Sequence, residues 1–173
     1  MASVGKGDEA ARLRPTSDRV RESLFNVLMS RFGDPVEGAG VLDLFAGTGA
    51  LGLEALSRGA SKATFVENGR VSQKILRQNV DICDVADVTQ VITRDAVKLS
   101  SNHDDPFDLI FLDPPYGKML GEAALRNAMD HGWIAKNSVV VWEEGYAIEV
   151  LDRFTLLDER RYGDTVVHFL EAE

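Results

Sequence analysis

The sequence predicts an α/β fold: a doubly wound, seven-stranded, mostly parallel sheet of Rossmann-like type with an antiparallel C-terminal strand, preceded by an N-terminal helical segment. Three observations carry this expectation. From residue 40 onward, short apolar runs alternate with segments of helical periodicity, the pattern of units whose crossover helices cover both faces of a parallel sheet. A glycine-rich turn, Gly47-Thr48-Gly49-Ala50-Leu51-Gly52, separates the first apolar run from the first of these helices. The chain closes with two strand-like runs joined only by a turn near Tyr162-Gly163-Asp164, which can only pair antiparallel.

Residues 1–14 are polar, carry Gly5 and Gly7, and read as a loose tail. Residues 15–173 read as one domain, the size for a single substantial core. Pro15-Thr16-Ser17-Asp18 is a helix start. Val20, Leu24, Val27 and Leu28 recur at helical spacing, and Gly33-Asp34-Pro35 stops the pattern, so 15–32 forms the N-terminal helix. Val41 to Phe45 is the first strand and Ala50 to Arg58 a helix stopped by Gly59. Ala63 to Glu67 is the second strand. Val71 to Cys83 is a helix with Ile75, Leu76 and Val80 inward. Val88 to Ile92 and Phe107 to Asp113 are the third and fourth strands, and Leu120 to His131 is a helix ended by Gly132. Ser138 to Trp142, Phe154 to Leu157 and Thr165 to Leu170 complete the seven strands.

Composition excludes several classes. Apolar content of 45% with 27% charged residues is that of a soluble globular chain. No apolar stretch approaches the roughly 20 residues of a membrane span, and no signal-peptide core is present. The single cysteine, Cys83, excludes an intramolecular disulfide and fits a reducing cytoplasm. The three histidines, His103, His131 and His168, are scattered, so no metal site is expected. A net charge of −9 runs against binding a polyanion. The charge is uneven, however. Residues 1–31 hold six basic and four acidic residues, whereas the remainder holds 13 basic and 24 acidic. A polyanion is therefore expected on the N-terminal side. A monomer is expected.

The glycine turn matches G-x-G-x-x-G between a strand and a helix, where glycines allow a tight turn and close backbone approach to a ligand. Glu67, 20 residues after Gly47 at the end of the second strand, is positioned to accept hydrogen bonds from two ribose hydroxyls, with Asn68 beside it. A dinucleotide-binding domain carries a similar fingerprint. Two details favour S-adenosylmethionine. Asp43 lies inside the first strand, four residues before Gly47, where it can face the cationic amino-acid end of that cofactor. The turn also contains an added Phe45-Ala46 step, in the form D-x-F-x-G-x-G. Asp95-Ala96, after the third strand, is expected beside the adenine ring; Asp95 is equally suited to cap a short helix, and the two roles are compatible.

Asp113-Pro114-Pro115-Tyr116 follows the fourth strand. An acid, two prolines of fixed φ and an aromatic ring build a flat, rigid slot lined by acceptors. Such a slot suits an exocyclic amine of a nucleobase: the Asp113 carboxylate and the Pro114 carbonyl each take one N–H, and Tyr116 stacks on the ring. A nicotinamide enzyme leaves these four residues unexplained. The cofactor motif and the slot together predict methyl transfer to a base amine. An adenine-N6 enzyme acting on DNA uses the same slot, and a cofactor-binding module that needs a partner for activity is a further alternative; the short chain leaves no room for a DNA target-recognition domain, and the intact Asp113 and Tyr116 argue against a dead site.

The combined motifs resemble the RsmD family, which methylates N2 of a guanine in bacterial 16S rRNA. The most specific part is Arg14-Pro15-Thr16-Ser17-Asp18-Arg19-Val20-Arg21-Glu22-Ser23-Leu24-Phe25-Asn26, similar to R-P-T-x-D-x-x-[KR]-E-[ST]-x-F-N. Asp43 to Gly52, Glu67, Asp113 to Tyr116, and Tyr162-Gly163-Asp164-Thr165 also follow the family pattern. The resemblance implies an S-adenosylmethionine cofactor and a 16S rRNA substrate, favouring the assembled small subunit over free RNA. It implies that Thr16 to Asn26 fold over the cofactor pocket, with Thr16 and Arg19 on the cofactor side and Arg14, Arg19, Arg21 and Asn26 toward RNA. The plainer reading of Arg19 and Arg21 is a solvated face or an ion pair to Glu22. Residues 1–13 lack the basic hairpin R-I-I-x-G-x-x-[KR]-G-[KR] with which family members usually begin.

Overall fold

The structure, a computed structural model, describes residues 17–173. Arg14, Pro15 and Thr16 lie outside the described residues. Four helices, α1 (Asp18–Arg31), α2 (Ala50–Ser57), α3 (Arg70–Ile82) and α4 (Leu120–Asp130), surround a sheet of seven strands. The strands are β1 (Gly40–Leu44), β2 (Lys62–Val66), β3 (Thr89–Ile92), β4 (Phe107–Leu112), β5 (Ile134–Glu144), β6 (Phe154–Tyr162) and β7 (Thr165–Ala172). Their order is β3-β2-β1-β4-β5-β7-β6. The first five are parallel, while β7 runs antiparallel to both β5 and β6. This is the architecture that the alternating pattern predicts.

The central strands β1 and β4 are buried on both faces, and side chains alternate between two cores. Val41, Leu109, Phe111, Val141 and Phe169 face α1, α2 and α3. Leu42, Leu44, Ile110, Leu112 and Trp142 face α4. Ser17 caps α1, its side chain accepting from the Val20 N–H at 3.3 Å. The buried stripe of α1 is Leu24, Phe25 and Leu28, so Phe25 replaces the expected Val27 at the centre, its ring 5.6 Å from Phe111. On α3, Leu76 and Val80 are buried as expected, together with polar Ser72 and Asn79, while Ile75 is half-buried.

Two strands outrun their expected bounds by four residues or more at one end. β5 starts at Ile134 rather than Ser138, passing an irregular stretch where Asn137 has φ 62°, and continues through Glu143 and Glu144. β6 runs on to Tyr162 through the charged Asp158-Glu159-Arg160-Arg161 segment. An edge strand needs an apolar face only where it meets the core, so its charged half carries no apolar alternation. Among the described residues no helix is long and apolar enough to cross a membrane, and no cluster of potential metal ligands occurs.

Candidate active site

Parallel strands bring their carboxyl ends to one edge of the sheet, the edge where ligands bind in open α/β sheets. Here that edge carries Phe45 after β1, Glu67 after β2, Asp95 beyond β3, Asp113 after β4, and Glu143-Glu144 closing β5. β4 is hydrogen-bonded to β1, with Leu112 level with Leu44. Asp113 therefore stands one strand from the glycine turn. A cleft of about 690 Å³ lined by Lys62, Thr89, Gln90 and Phe107 opens at the opposite, amino end of the strands and is remote from these residues.

The turn after β1 is held closely. Gly47 and Gly49 have φ of 56° and 82°, which side-chain-bearing residues adopt only with strain. Phe45 adopts φ 60° all the same, an outlier for a bulky residue and a mark of functional sites. Ala46 is buried, and its carbonyl accepts from the Gly49 N–H at 2.8 Å. The Glu67 carboxylate receives the Gly47 N–H at 2.8 Å and the Gly69 N–H at 2.7 Å. Asn79 on α3 donates to the Thr48 carbonyl at 2.9 Å. Gly52 lies inside α2, and its N–H donates to the buried Asp43 carboxylate at 3.0 Å. A Cβ on Gly52 would fall 2.4 Å from the Phe65 ring, and one on Gly49 would fall 2.4 Å from Leu76. These two glycines thus also serve close helix–sheet packing. Asn68 is exposed. Asp95 caps the short turn Ala96–Lys98 through the Val97 N–H at 3.2 Å, and Ala96 is buried in the core.

The Asp113 side of the edge is crowded with acids. Pro114 is buried, Pro115 is exposed, and Tyr116 is 36% exposed. Burial, with Glu143, Asp43 and Glu144 nearby, holds the Asp113 carboxyl well above the usual range. Asp43 is pushed up to about 7, mainly by burial and further by Glu67 and Glu143, against the opposing Gly52 hydrogen bond. Glu144 accepts from the Gly117 N–H at 3.3 Å and is raised chiefly by burial. The Tyr116 hydroxyl meets Thr165 Oγ1 at 2.9 Å. Glu143, Glu144 and Thr165 were not legible as site residues. The available signal was a pair of glutamates ending the fifth apolar run at the level of Asp113.

The N-terminal helix reaches the same edge. Thr165 and Tyr162 close the β6–β7 hairpin beside the carboxyl end of β5, and the Tyr162 hydroxyl meets Ser23 Oγ of α1 at 3.0 Å. Arg19 and Asn26 are exposed. Arg21 is committed differently. Its guanidinium is ion-paired with Glu54 of α2 at 3.3 Å and with Asp18 at 2.9 Å, and Glu54 also holds Arg58 at 2.8 Å. Its partners are therefore Asp18 and Glu54 rather than Glu22, and the Glu54 pair clamps α1 to α2.

Comparison with known proteins bears on this arrangement. The family model described as Conserved hypothetical protein 95 matches residues 6–171. The chain belongs to the RsmD family. A Haemophilus influenzae member named Ribosomal RNA small subunit methyltransferase D is 36% identical over 157 residues, covering 87% of this chain and 79% of that protein. The Escherichia coli strain K12 member of the same name is 40% identical over 132 residues, covering 76% of this chain. The chain spans 64% of that Escherichia coli relative. The solved structure of Escherichia coli yhhF superposes with a TM-score of 0.81 at 34% identity, covering 93% of this chain and 88% of the other. RsmD membership thus covers the glycine turn, the acid-lined edge and the β6–β7 hairpin alike.

Proposed function

We propose that the protein is an S-adenosylmethionine-dependent methyltransferase that acts on the exocyclic N2 amine of a guanine in 16S rRNA within the small ribosomal subunit. The observation that carries the reading is that Asp113-Pro114-Pro115-Tyr116 follows β4, one strand from the glycine turn after β1. The names of the Escherichia coli and Haemophilus influenzae relatives support an rRNA substrate. The span 15–173 would act as one domain, as a monomer in the cytoplasm.

The residues fit a cationic cofactor. In the absence of a counter-charge, burial and mutual repulsion hold Asp43 and Asp113 toward their protonated forms, and a cation at this edge would relieve both. Bound here, S-adenosylmethionine supplies an electrophilic methyl group. Asp43 faces its amino-acid end, Glu67 and Asn68 take its ribose, and Asp95 with Ala96 borders its adenine. Phe45, Ala46, Gly47, Gly49 and Gly52 form the backbone wall, and Arg19 covers it. Arg19 and Asn26 face RNA, while Arg21 braces the helix that carries them.

In the slot, the Asp113 carboxylate and the Pro114 carbonyl each accept one amine N–H, which aims the nitrogen lone pair away from the guanine ring. Positioning of this kind lowers barriers by roughly 7–11 kcal/mol in favourable intramolecular cases. Tyr116 stacks on the base, a contact worth about 1–3 kcal/mol. The proton that the amine sheds as the new bond forms passes to Asp113 or to water.

The decisive test is transfer of radiolabelled methyl from S-adenosylmethionine to small subunits lacking their native guanine methylation, with naked rRNA and duplex DNA in parallel. Label in N2-methylguanine of the subunit is expected. Label confined to DNA adenine would replace the substrate, and donor binding without transfer to any of the three would remove the activity.

A further inference from the structure

The backbone leading to Tyr116 is stiffened by two prolines, but its ring sits on a loop that continues through Gly117 at φ 74° and Met119 at φ 52°. Two contacts from outside the loop fix the ring. Its flank lies against Gly145, where an added Cβ would come within 3.2 Å of Cδ2. Its hydroxyl meets Thr165 Oγ1 at 2.9 Å, although the two residues are 49 positions apart. Thr165 opens β7 and pairs with Tyr162, the last residue of β6. The Tyr162 hydroxyl in turn meets Ser23 Oγ of α1 at 3.0 Å. A single rung of the β6–β7 hairpin therefore carries two hydroxyl contacts, one to the slot and one to the N-terminal helix.

We infer that Thr165 is a positioning residue that aims the Tyr116 ring, and that the Tyr162–Thr165 rung ties this aim to α1. The inference rests on the proposed stacking role of Tyr116. A stacking ring contributes fully only when its plane is set before the base arrives, because ordering it on binding subtracts from the affinity gained. Tyr116 is 36% exposed, so surrounding bulk does not set that plane. The Gly145 seat limits tilt, and the Thr165 hydroxyl fixes the far end of the ring. Thr165 has no need to touch the substrate. Its effect passes through the Tyr116 hydroxyl, which makes Tyr116→Phe and Thr165→Val two ways of breaking one contact.

The test is a double-mutant cycle of Tyr116→Phe and Thr165→Val, with Thr165→Ser as the conservative control. It is read as methyl transfer from S-adenosylmethionine to small subunits lacking their native methylation. Each single variant is expected to lower kcat/KM for the subunit about three- to tenfold, the scale of one hydrogen bond, with KM for the methyl donor unchanged. The double variant is expected to lose no more than either single one, and Thr165→Ser to retain wild-type activity. Additive losses, or a Thr165→Val enzyme equal to wild type, would overturn the inference. A second readout needs no substrate: the ring signals of Tyr116 in carbon-13 tyrosine-labelled protein. Thr165→Val is expected to shift and average them, and Ser23→Ala to shift those of Tyr162 and, through the rung, of Tyr116. Tyr116 signals unmoved by Thr165→Val overturn the positioning role, and signals unmoved by Ser23→Ala overturn the tie to α1. If wild type transfers no methyl to the subunit, the proposed substrate fails and the ring signals alone decide the inference.

Discussion

The two halves of the candidate site are built by different means. On the donor side, backbone N–H groups meet carboxylates at 2.7–3.0 Å, and each bond spans 20 residues or fewer. On the slot side, the tying contacts come from β5 and β7, across 27 and 49 positions, at 3.3 and 2.9 Å. The donor side satisfies its charges with local donors. The slot side keeps Asp113 close to Glu143 and Glu144, and burial first, then those neighbouring acids, raises the Asp113 carboxyl. The first region is tied mainly by its own backbone; the second is tied by distant strands, and on the proposed reading the ligand's charge relieves the buried acids of both.

The largest effect should come from removing the slot's acid. Asp113→Ala is expected to lower methyl transfer about 10²- to 10³-fold, as for other preorganised acceptors and donors, while donor affinity measured by calorimetry stays within a few-fold. Equal loss of both would erase the division between the halves. Glu67→Ala strikes the other half. It strands the Gly47 and Gly69 N–H groups, and since hydrogen bonds to a charged group contribute about 1.5–3 kcal/mol, donor affinity should fall about tenfold or more with kcat at saturation largely kept. An unchanged dissociation constant would count against the ribose role.

Gly52→Ala tests the packing behind the cofactor wall. Alanine would ordinarily favour a helix interior, but here its Cβ meets Phe65 at 2.4 Å. Overpacking of this kind costs about 1–3 kcal/mol, so a lower Tm is expected, and a higher one would show that the helix relaxes. A smaller effect is expected from pH. Asp43 has its carboxyl raised to about 7 by burial and neighbouring acids, so the folded state binds more protons than the unfolded state between its unfolded value and about 7. Its contribution to the ligand-free protein's stability therefore falls as pH rises through that window. Donor affinity should run the other way, rising with pH up to about 7, because a cation favours the ionised acid. Asp43→Asn should flatten both slopes, and thermal melts with donor titrations from pH 5 to 8 would check them.

The same division explains what could be read from the sequence. The strands from β1 to β4, Glu67 and the glycine turn were legible because spacing alone brings them together: a parallel sheet puts every carboxyl end on one edge. A helix start near Asp18, and Gly33 and Gly59 as stops, were legible from local chemistry. The slot's supports were not. Glu143 and Glu144 look like the end of a strand because charge ordinarily marks solvent, yet both are buried. Thr165 reads as the start of the last strand, and only the β7–β5 pairing brings it to Tyr116. Arg21 reads as an outward cation until α2 supplies Glu54. Phe45 carries no sequence signal of its strained backbone, because the strain is imposed by the turn around it.

The crowded carboxylates have a consequence for turnover. On the proposed reaction the donor enters with a sulfonium charge and leaves as a neutral thioether. On that reading Asp113, Glu143 and Glu144 hold the sulfonium more strongly than a neutral thioether, whereas the ammonium that faces Asp43 is the same before and after transfer. The chemical step would therefore weaken the enzyme's grip on its own spent product, so that the repulsion that makes these acids costly to assemble also clears the site for the next round.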